Sequence, residues 1–373
     1  MSPSLRFPEF TGEWKEERLS EIADIYKGAG ISKDQLSDNG EPCILYGELY
    51  TKYKTETITE VISRTDIDNT KLVRSKANDV IIPCSGETAE DIATARCVIK
   101  DGILLGGDLN IIRLHNYDGS FVSYQLNGKR KYDIAKVAQG VSVVHLYGEH
   151  LKGVKTVNPC LAEQKKISRF LSLLDERIAV QNRLIEKLQS LIGGIAQHCI
   201  KEAISGSMCI KLGDICKITT GKLDANAQVD NGLYPFFTCA EQPFKIDNFA
   251  FDTEALLISG NGANLGYVNY YNGKFNAYQR TYVLDAFSEN IQYIKWALKV
   301  LLPKRIAIEK SSSNTPYIVL STLSDLRLPI PSKGNQCHMA ELMQSLERKL
   351  SNQIALKSSY NMLKQYLLRK MFI

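Results

Sequence analysis

The 373-residue sequence predicts an α+β chain: two tandem recognition segments, mixed and β-rich with short helices, separated and followed by long helices that pair as an antiparallel coiled coil. Three observations predict this. Blocks of residues recur in the same order, short strand-like runs alternate with turn residues in both halves, and each half closes on a long apolar heptad seam.

The recurrence is the firmest of the three. Leu19, Ile22, Ile25 and Gly28 return as Leu212, Ile215, Ile218 and Gly221, an offset of 193. Asp79-Val-Ile-Ile resembles Glu254-Ala-Leu-Leu, an offset of 175, and Asp101-Gly102 resembles Asn272-Gly273, an offset of 171. Leu151, Pro159, Gln164, Leu174, Gln181 and Leu191 return as Leu323, Pro331, Gln336, Leu346, Gln353 and Leu363, at a constant 172. The second segment is therefore about 21 residues shorter, the loss falling in loops ahead of a shared Asx-Gly hairpin signal. The bounds read as recognition segments 1–158 and 205–331, with helices over 159–204 and 332–373.

Within the segments, strands are expected at 79–84, 96–100, 103–106, 109–114, 255–259, 267–271 and 280–285, with one helix each near 120–138 and 289–302. The long helices follow from spacing. Ile167, Leu171, Leu174, Ile178, Gln181, Ile185, Leu188, Ile192 and Ile195 alternate steps of four and three, a coiled-coil seam. Its counterpart runs Met339, Met343, Leu346, Leu350, Gln353 and then, less strictly, Tyr360, Leu363 and Leu367, loosened around Lys357 and Lys364. At about 37 residues each helix would span roughly 55 Å. If the helices pair antiparallel, Gln181 and Gln353 meet and fix the register; the same seam would equally serve homodimerisation.

Bulk properties exclude more than they assign. No apolar run is long enough to span a membrane, and the N-terminus lacks the apolar core of a signal peptide. Nine cysteines without a CxxC pair read as reduced thiols of a cytoplasmic protein, and neither they nor the five histidines have metal-ligand spacing. No nucleophile motif appears, so no catalytic residue and no metal site are expected. A net charge of +5 permits nucleic-acid binding without establishing it.

Candidate DNA contacts are the basic and amide side chains near turn-rich loops: Lys27, Gly28, Lys129, Arg130 and Lys131 in the first segment, and Gly221, Lys222, Asn261, Asn264, Gln279, Arg280, Lys304 and Arg305 in the second. Lys and Arg neutralise phosphates, whereas Asn, Gln and Arg also discriminate base edges. For any one of them the ordinary solvated residue is the stronger reading, but the basic run after the domain helix gains weight because it recurs in both copies, as Lys129-Arg130-Lys131 and Lys304-Arg305. Gly260-Asn-Gly-Ala-Asn-Leu-Gly266 resembles a nucleotide loop, but a nucleotide loop must open a helix, and the run Tyr267-Val-Asn-Tyr-Tyr-Asn-Gly-Lys-Phe275 reads as a hairpin. Asn314-Thr-Pro-Tyr317 resembles the tetrapeptide of amino-methyltransferases, yet it aligns with plain Val141-Ser-Val-Val.

The duplicated architecture, the opening Leu5-Arg-Phe-Pro-Glu-Phe-Thr-Gly-Glu-Trp14, the block Leu19–Gly28, the stretch Leu151–Ile167 and its counterpart Leu323–Pro331 resemble the specificity subunit of type I restriction–modification systems. The resemblance implies a non-catalytic, cytoplasmic subunit for phage defence. Each recognition domain would read half of a bipartite, asymmetric double-stranded DNA target, with the helices as a spacer docking two methyltransferase subunits. It implies further that adenine-N6 methylation with S-adenosylmethionine, and cleavage with ATP and Mg by a restriction–translocase subunit, belong to partners, this chain binding no cofactor. The alternatives are a coiled-coil adaptor without DNA specificity and an N6-adenine methyltransferase.

Overall fold

The computed structural model describes residues 2–68, 70–140, 143–310 and 317–373. They form two compact units. The first comprises Met1–Asn182 with Ala355–Ile373, the second Arg183–Ile354. The long helices Leu161–Gly206 and Lys333–Met371 each contribute to both. At 46 and 39 residues they exceed the expected 37, and span about 69 and 58 Å at roughly 1.5 Å per residue. The first seam runs on past Ile192 and half-buried Ile195 through the buried Ala196 and Ile200.

Inside each unit the helix segments pair antiparallel and share a core with the recognition elements. In the first, Ile167, Leu171 and Leu174 pack with Leu367, Leu368, Met371 and Phe372, and Ile178 lies beside them half-buried. In the second, Ile192, Ala196 and Ile200 pack with Met339 and Met343, with Leu346 and Leu350 alongside. Ile185 and Leu188 are buried in the second unit; Gln181 is buried and Gln353 half-buried. The expected seam position Leu363 is instead 44% exposed. The strict 4–3 count from Gln353 passes through Lys357, Tyr360, Lys364, Leu367 and Met371. Lys364 occupies the seam because its ammonium is neutralised there, 2.7 Å from Glu56 and 2.6 Å from Asp175.

The first recognition domain holds a five-stranded sheet, in the order Ala23–Lys27, Leu109–Leu114, Asp79–Pro83, Arg96–Val98, Thr57–Ile58. Beside it lies a four-stranded sheet of Ser63–Thr65, Glu41–Ile44, Leu104–Leu105 and Val73–Arg74. The second domain has one six-stranded sheet: Lys217–Thr220, Thr281–Asp285, Phe251–Ser259, Val268–Ala277, Tyr234–Phe237, Phe244–Ile246. In both units a two-stranded ribbon ties the start of the domain to its end, Lys15–Arg18 with Lys155–Asn158 and Met208–Lys211 with Arg327–Ile330.

The hairpin signals are overturned. Asp101-Gly102 makes a turn, with Gly102 at φ +79°, but the strands it joins enter different sheets, since Ile103 and Gly102 bond back to Ser75. Asn272-Gly273 lies inside the ten-residue strand Val268–Ala277, opposite Glu254 and Thr253. That strand needs no turn there, because the reversal has already occurred over 260–267. The expected first-domain helix breaks at Gly128 into Gly119–Asn127 and Lys131–Val137; its counterpart Ile291–Lys310 continues through Pro303.

Candidate nucleic-acid interface

Equivalent backbone bonds set the correspondence between the units. Gln164 accepts from Asp118 N at 2.9 Å and donates to Pro159 O at 2.8 Å; Gln336 accepts from Asn290 N at 3.0 Å and donates to Pro331 O at 2.9 Å. These side chains join the start of each domain helix to the start of each long helix, 172 residues apart. Gly28 N bonds to Leu109 O, and Gly221 N bonds to Thr281 O. The same register places Leu109 against Pro83 and Thr281 against Ser259. Hence Asp79-Val-Ile-Ile corresponds to Ala255-Leu-Leu-Ile at 176, one residue beyond the match read from Glu254.

At one end of each sheet, loops converge. In the second unit Gly260 N donates to Arg280 O at 2.8 Å, Gln279 N to Leu223 O at 2.9 Å, Asn264 Nδ2 to Cys239 O at 3.0 Å and Ile318 N to Gly260 O at 2.9 Å. Ile306 of the domain helix packs against Gly266. The structure thus gathers Gly221, Lys222, Asn261, Asn264, Gln279 and Arg280 into one loop cluster, with Lys304 and Arg305 on the adjoining helix. Lys222, Gln279 and Arg280 are exposed, whereas Asn264 is committed to Cys239 and Arg305 pairs with Glu309 at 2.8 Å.

In the first unit Cys84 N donates to Asp108 O at 2.7 Å and Leu146 N to Cys84 O at 2.8 Å. Lys27 and Gly28 sit in this cluster, Lys27 exposed and 3.9 Å from Asp108. Burial pushes the Cys84 thiol up to about 11, so it is a neutral neighbour. Lys129, Arg130 and Lys131 lie apart, between the two short helices, with Arg130 held 3.4 Å from Asp133. The 172 offset matches them to Leu301-Leu302-Pro303, and matches Lys304-Arg305 to Tyr132-Asp133. The two basic runs are not equivalent positions.

Gly28 and Gly221 are fixed by packing. A Cβ at Gly28 would stand 2.0 Å from Gly106 O, and one at Gly221 would stand 1.9 Å from Ala277 O. They act as crossing points of backbone, which explains their recurrence. Sequence reasoning missed the loop before each ribbon. His145 stacks on Tyr147 at 6.1 Å, and Tyr147 and Tyr317 are 53% and 56% exposed. The shared bonds of Leu146 and Ile318 match Tyr317 to His145, one residue off the alignment with Val141-Ser-Val-Val; 141–142 and 314–316 lie outside the described residues. The Gly260–Gly266 loop opens the strand Val268–Ala277 and not the helix that a nucleotide loop needs.

The family model described as Type I restriction modification DNA specificity domain matches residues 11–190 and 205–357, one match on each half. The chain belongs to this family. Among its relatives, the EcoDI specificity subunit of Escherichia coli is 42% identical over 137 residues, 37% of this chain but only 30% of that subunit. The MjaVIII specificity subunit of Methanocaldococcus jannaschii is 23% identical, covering 92% of this chain and 87% of its own. The fold matches the crystal structure of a type I system S subunit from M. genitalium with a TM-score of 0.72 at 20% identity, over 100% of this chain and 99% of that one. A structure describing complex assembly and conformational transition of a type I system matches with a TM-score of 0.57 at 16% identity, over 97% and 98%. Membership of a family of specificity domains decides against the adaptor and methyltransferase readings. In the specificity chain no helix of the described residues is long and apolar enough to cross a membrane.

Proposed function

We propose that this specificity chain reads a bipartite, asymmetric double-stranded DNA sequence, one half-site by each loop cluster. The observation that carries this is a change of chemistry at equivalent positions. Asp108 and Arg280 accept the same backbone bond in their units, from Cys84 N and Gly260 N, yet one presents a carboxylate and the other an exposed guanidinium. A carboxylate accepts from the cytosine amine in the major groove, whereas a guanidinium bonds two acceptors of guanine. A duplicated scaffold with unlike tips suits a target whose halves differ.

In this reading the long helices separate the readers and dock two methyltransferase copies, whose similar seats follow from the duplication. S-adenosylmethionine, ATP and Mg belong to the methyltransferase and restriction–translocase partners, and the assembly works in the cytoplasm. The test is long-read sequencing of genomic DNA from cells carrying this gene and its methyltransferase partner. A gapped N6-methyladenine motif that vanishes with the gene is expected. Arg280→Ala should relax one half of that motif and leave the other unchanged. Methylation without a two-part motif, or relaxation of both halves, contradicts the proposal.

A further inference from the structure

The offset of 172 that relates the units also relates two grooves on the helix pair. In the first unit the groove holds residues 4–10 of the chain. Phe7 meets Phe170 edge-on at 5.9 Å and lies under Lys166 Nζ at 4.8 Å, and Lys166 also pairs with Glu9. Arg6 bonds both oxygens of Glu163 at 2.7 Å, and Leu5 N donates to Lys370 O at 3.0 Å.

Carried over by 172, Glu163, Lys166, Ile167 and Phe170 become Asn335, His338, Met339 and Leu342, while Lys370 and Met371 become His198 and Cys199. These six residues line a single groove of about 410 Å³ in the second unit. The counterpart of residues 5–14, at the offset of 193, is residues 198–207. There the chain continues as helix to Gly206 and forms one side of the groove, instead of lying in it as residues 4–10 do in the first unit. Leu342 is 44% exposed on the groove wall, close to the 40% that Phe170 keeps under Phe7.

We infer that this groove docks an extended segment of a partner protein carrying an aromatic ring between a cationic and an acidic side chain, the chemistry of Arg6-Phe-Pro-Glu9. Met339 and Leu342 form the apolar floor for the ring. His338 stands where Lys166 receives an acid, and Glu202, which lines the groove from the other long helix, supplies a carboxylate in place of the one lost by the change of Glu163 to Asn335. The backbone anchor differs, because His198 lies inside its helix and its carbonyl serves the helical ladder. Docking therefore rests on side chains, Glu202 facing the cationic residue and the His338 ring hydrogen-bonding the acidic one, an arrangement that selects register.

The probe is a fluorescent peptide of residues 2–14, titrated into the full chain and read by anisotropy. Saturable one-site binding is expected, weakened about tenfold or more by Leu342→Glu, the loss of one central apolar contact. His338→Glu, at an exposed position, should weaken it comparably by repelling the acidic residue, and serves if Leu342→Glu does not fold. Phe170→Glu should leave the affinity unchanged. The inference is overturned if the peptide does not bind, or if Phe170→Glu abolishes binding while the second-unit variants do not, since the peptide would then be exchanging into the first groove.

Discussion

Lys364→Met removes the only cation within ion-pair distance of Glu56 and Asp175 among the described residues of the first unit. The three side chains are 8–11% exposed, Asp175 also accepts from Tyr124 at 2.6 Å, and the ammonium lies 5.6 Å from the Tyr124 ring. Burial pulls the Lys364 ammonium down, but Glu56 and Asp175 outweigh it and its pKa is raised. Burial pushes Asp175 up against the pull of Lys364. Removing one partner of a buried ion pair strands the other charge, so the variant should lose about 3–5 kcal/mol. With a urea slope of about 2 kcal/mol/M this is a midpoint shift of roughly 2 M. The chain's two tryptophans allow local readout, Trp14 in the first unit and Trp296 in the second. Urea unfolding of the full chain, in a Trp296→Phe background, should show the shift at Trp14. The sign with pH follows from Asp175. Without Lys364 its folded pKa rises further above the unfolded value, so the folded state takes up a proton. The variant's deficit is then largest at neutral pH, narrows as pH falls through the folded value and is smallest below the unfolded one. The charge-free triple variant Glu56→Gln, Asp175→Asn, Lys364→Met should recover most of the loss. A triple variant as unstable as Lys364→Met, or a single variant shifted by less than about 0.5 M, would refute the role given to the stranded charges.

Three further outcomes are expected. Gln164→Ala should lower stability at Trp14 by about 1–3 kcal/mol, since Asp118 N and Pro159 O lose their partner, and Gln336→Ala should do the same at Trp296; equal effects of each variant on both reporters would contradict the assignment. Gly28→Ala and Gly221→Ala should each lower the melting temperature by more than a typical surface change, which is within about 0.5 kcal/mol, because their Cβ atoms would overlap carbonyl oxygens. Changing Lys129, Arg130, Lys304 and Arg305 together to alanine should weaken binding of every DNA sequence alike and flatten the salt dependence, each phosphate contact contributing about one unit of slope; a loss confined to one sequence in a competition assay would refute it.

Much of the architecture was legible because its signals are local or periodic. The offset of 172, the 4–3 seams and the strand runs need no knowledge of the fold. What escaped depended on distant partners. Lys364 looked like a break in the seam because Glu56, 308 residues earlier, neutralises it. Asp101-Gly102 has the chemistry of a hairpin, but sheet membership is decided by which strands bury Leu104 and Val98. Asn272-Gly273 carries the same signal and is overridden by eight residues of pairing to Phe251–Ile258. At the interface, residue type pointed to Lys222, Gln279 and Arg280, which do gather. It gave no means of seeing that Gly28 and Gly221 are packing contacts, or that Lys129–Lys131 and Lys304–Arg305 occupy different places.

The first unit is discontinuous along the chain, its last piece being residues 355–373, while the second is a single stretch, 183–354. During synthesis the second unit is therefore complete before the first receives Leu367, Met371 and Phe372, which fill its core beside Phe121 and Leu171. Until then that core is open and the carboxylates of Glu56 and Asp175 wait for Lys364. A ribosome stalled anywhere in 183–354 leaves an early domain unfinished, so quality control that senses exposed apolar surface has the interval of the whole second unit in which to act.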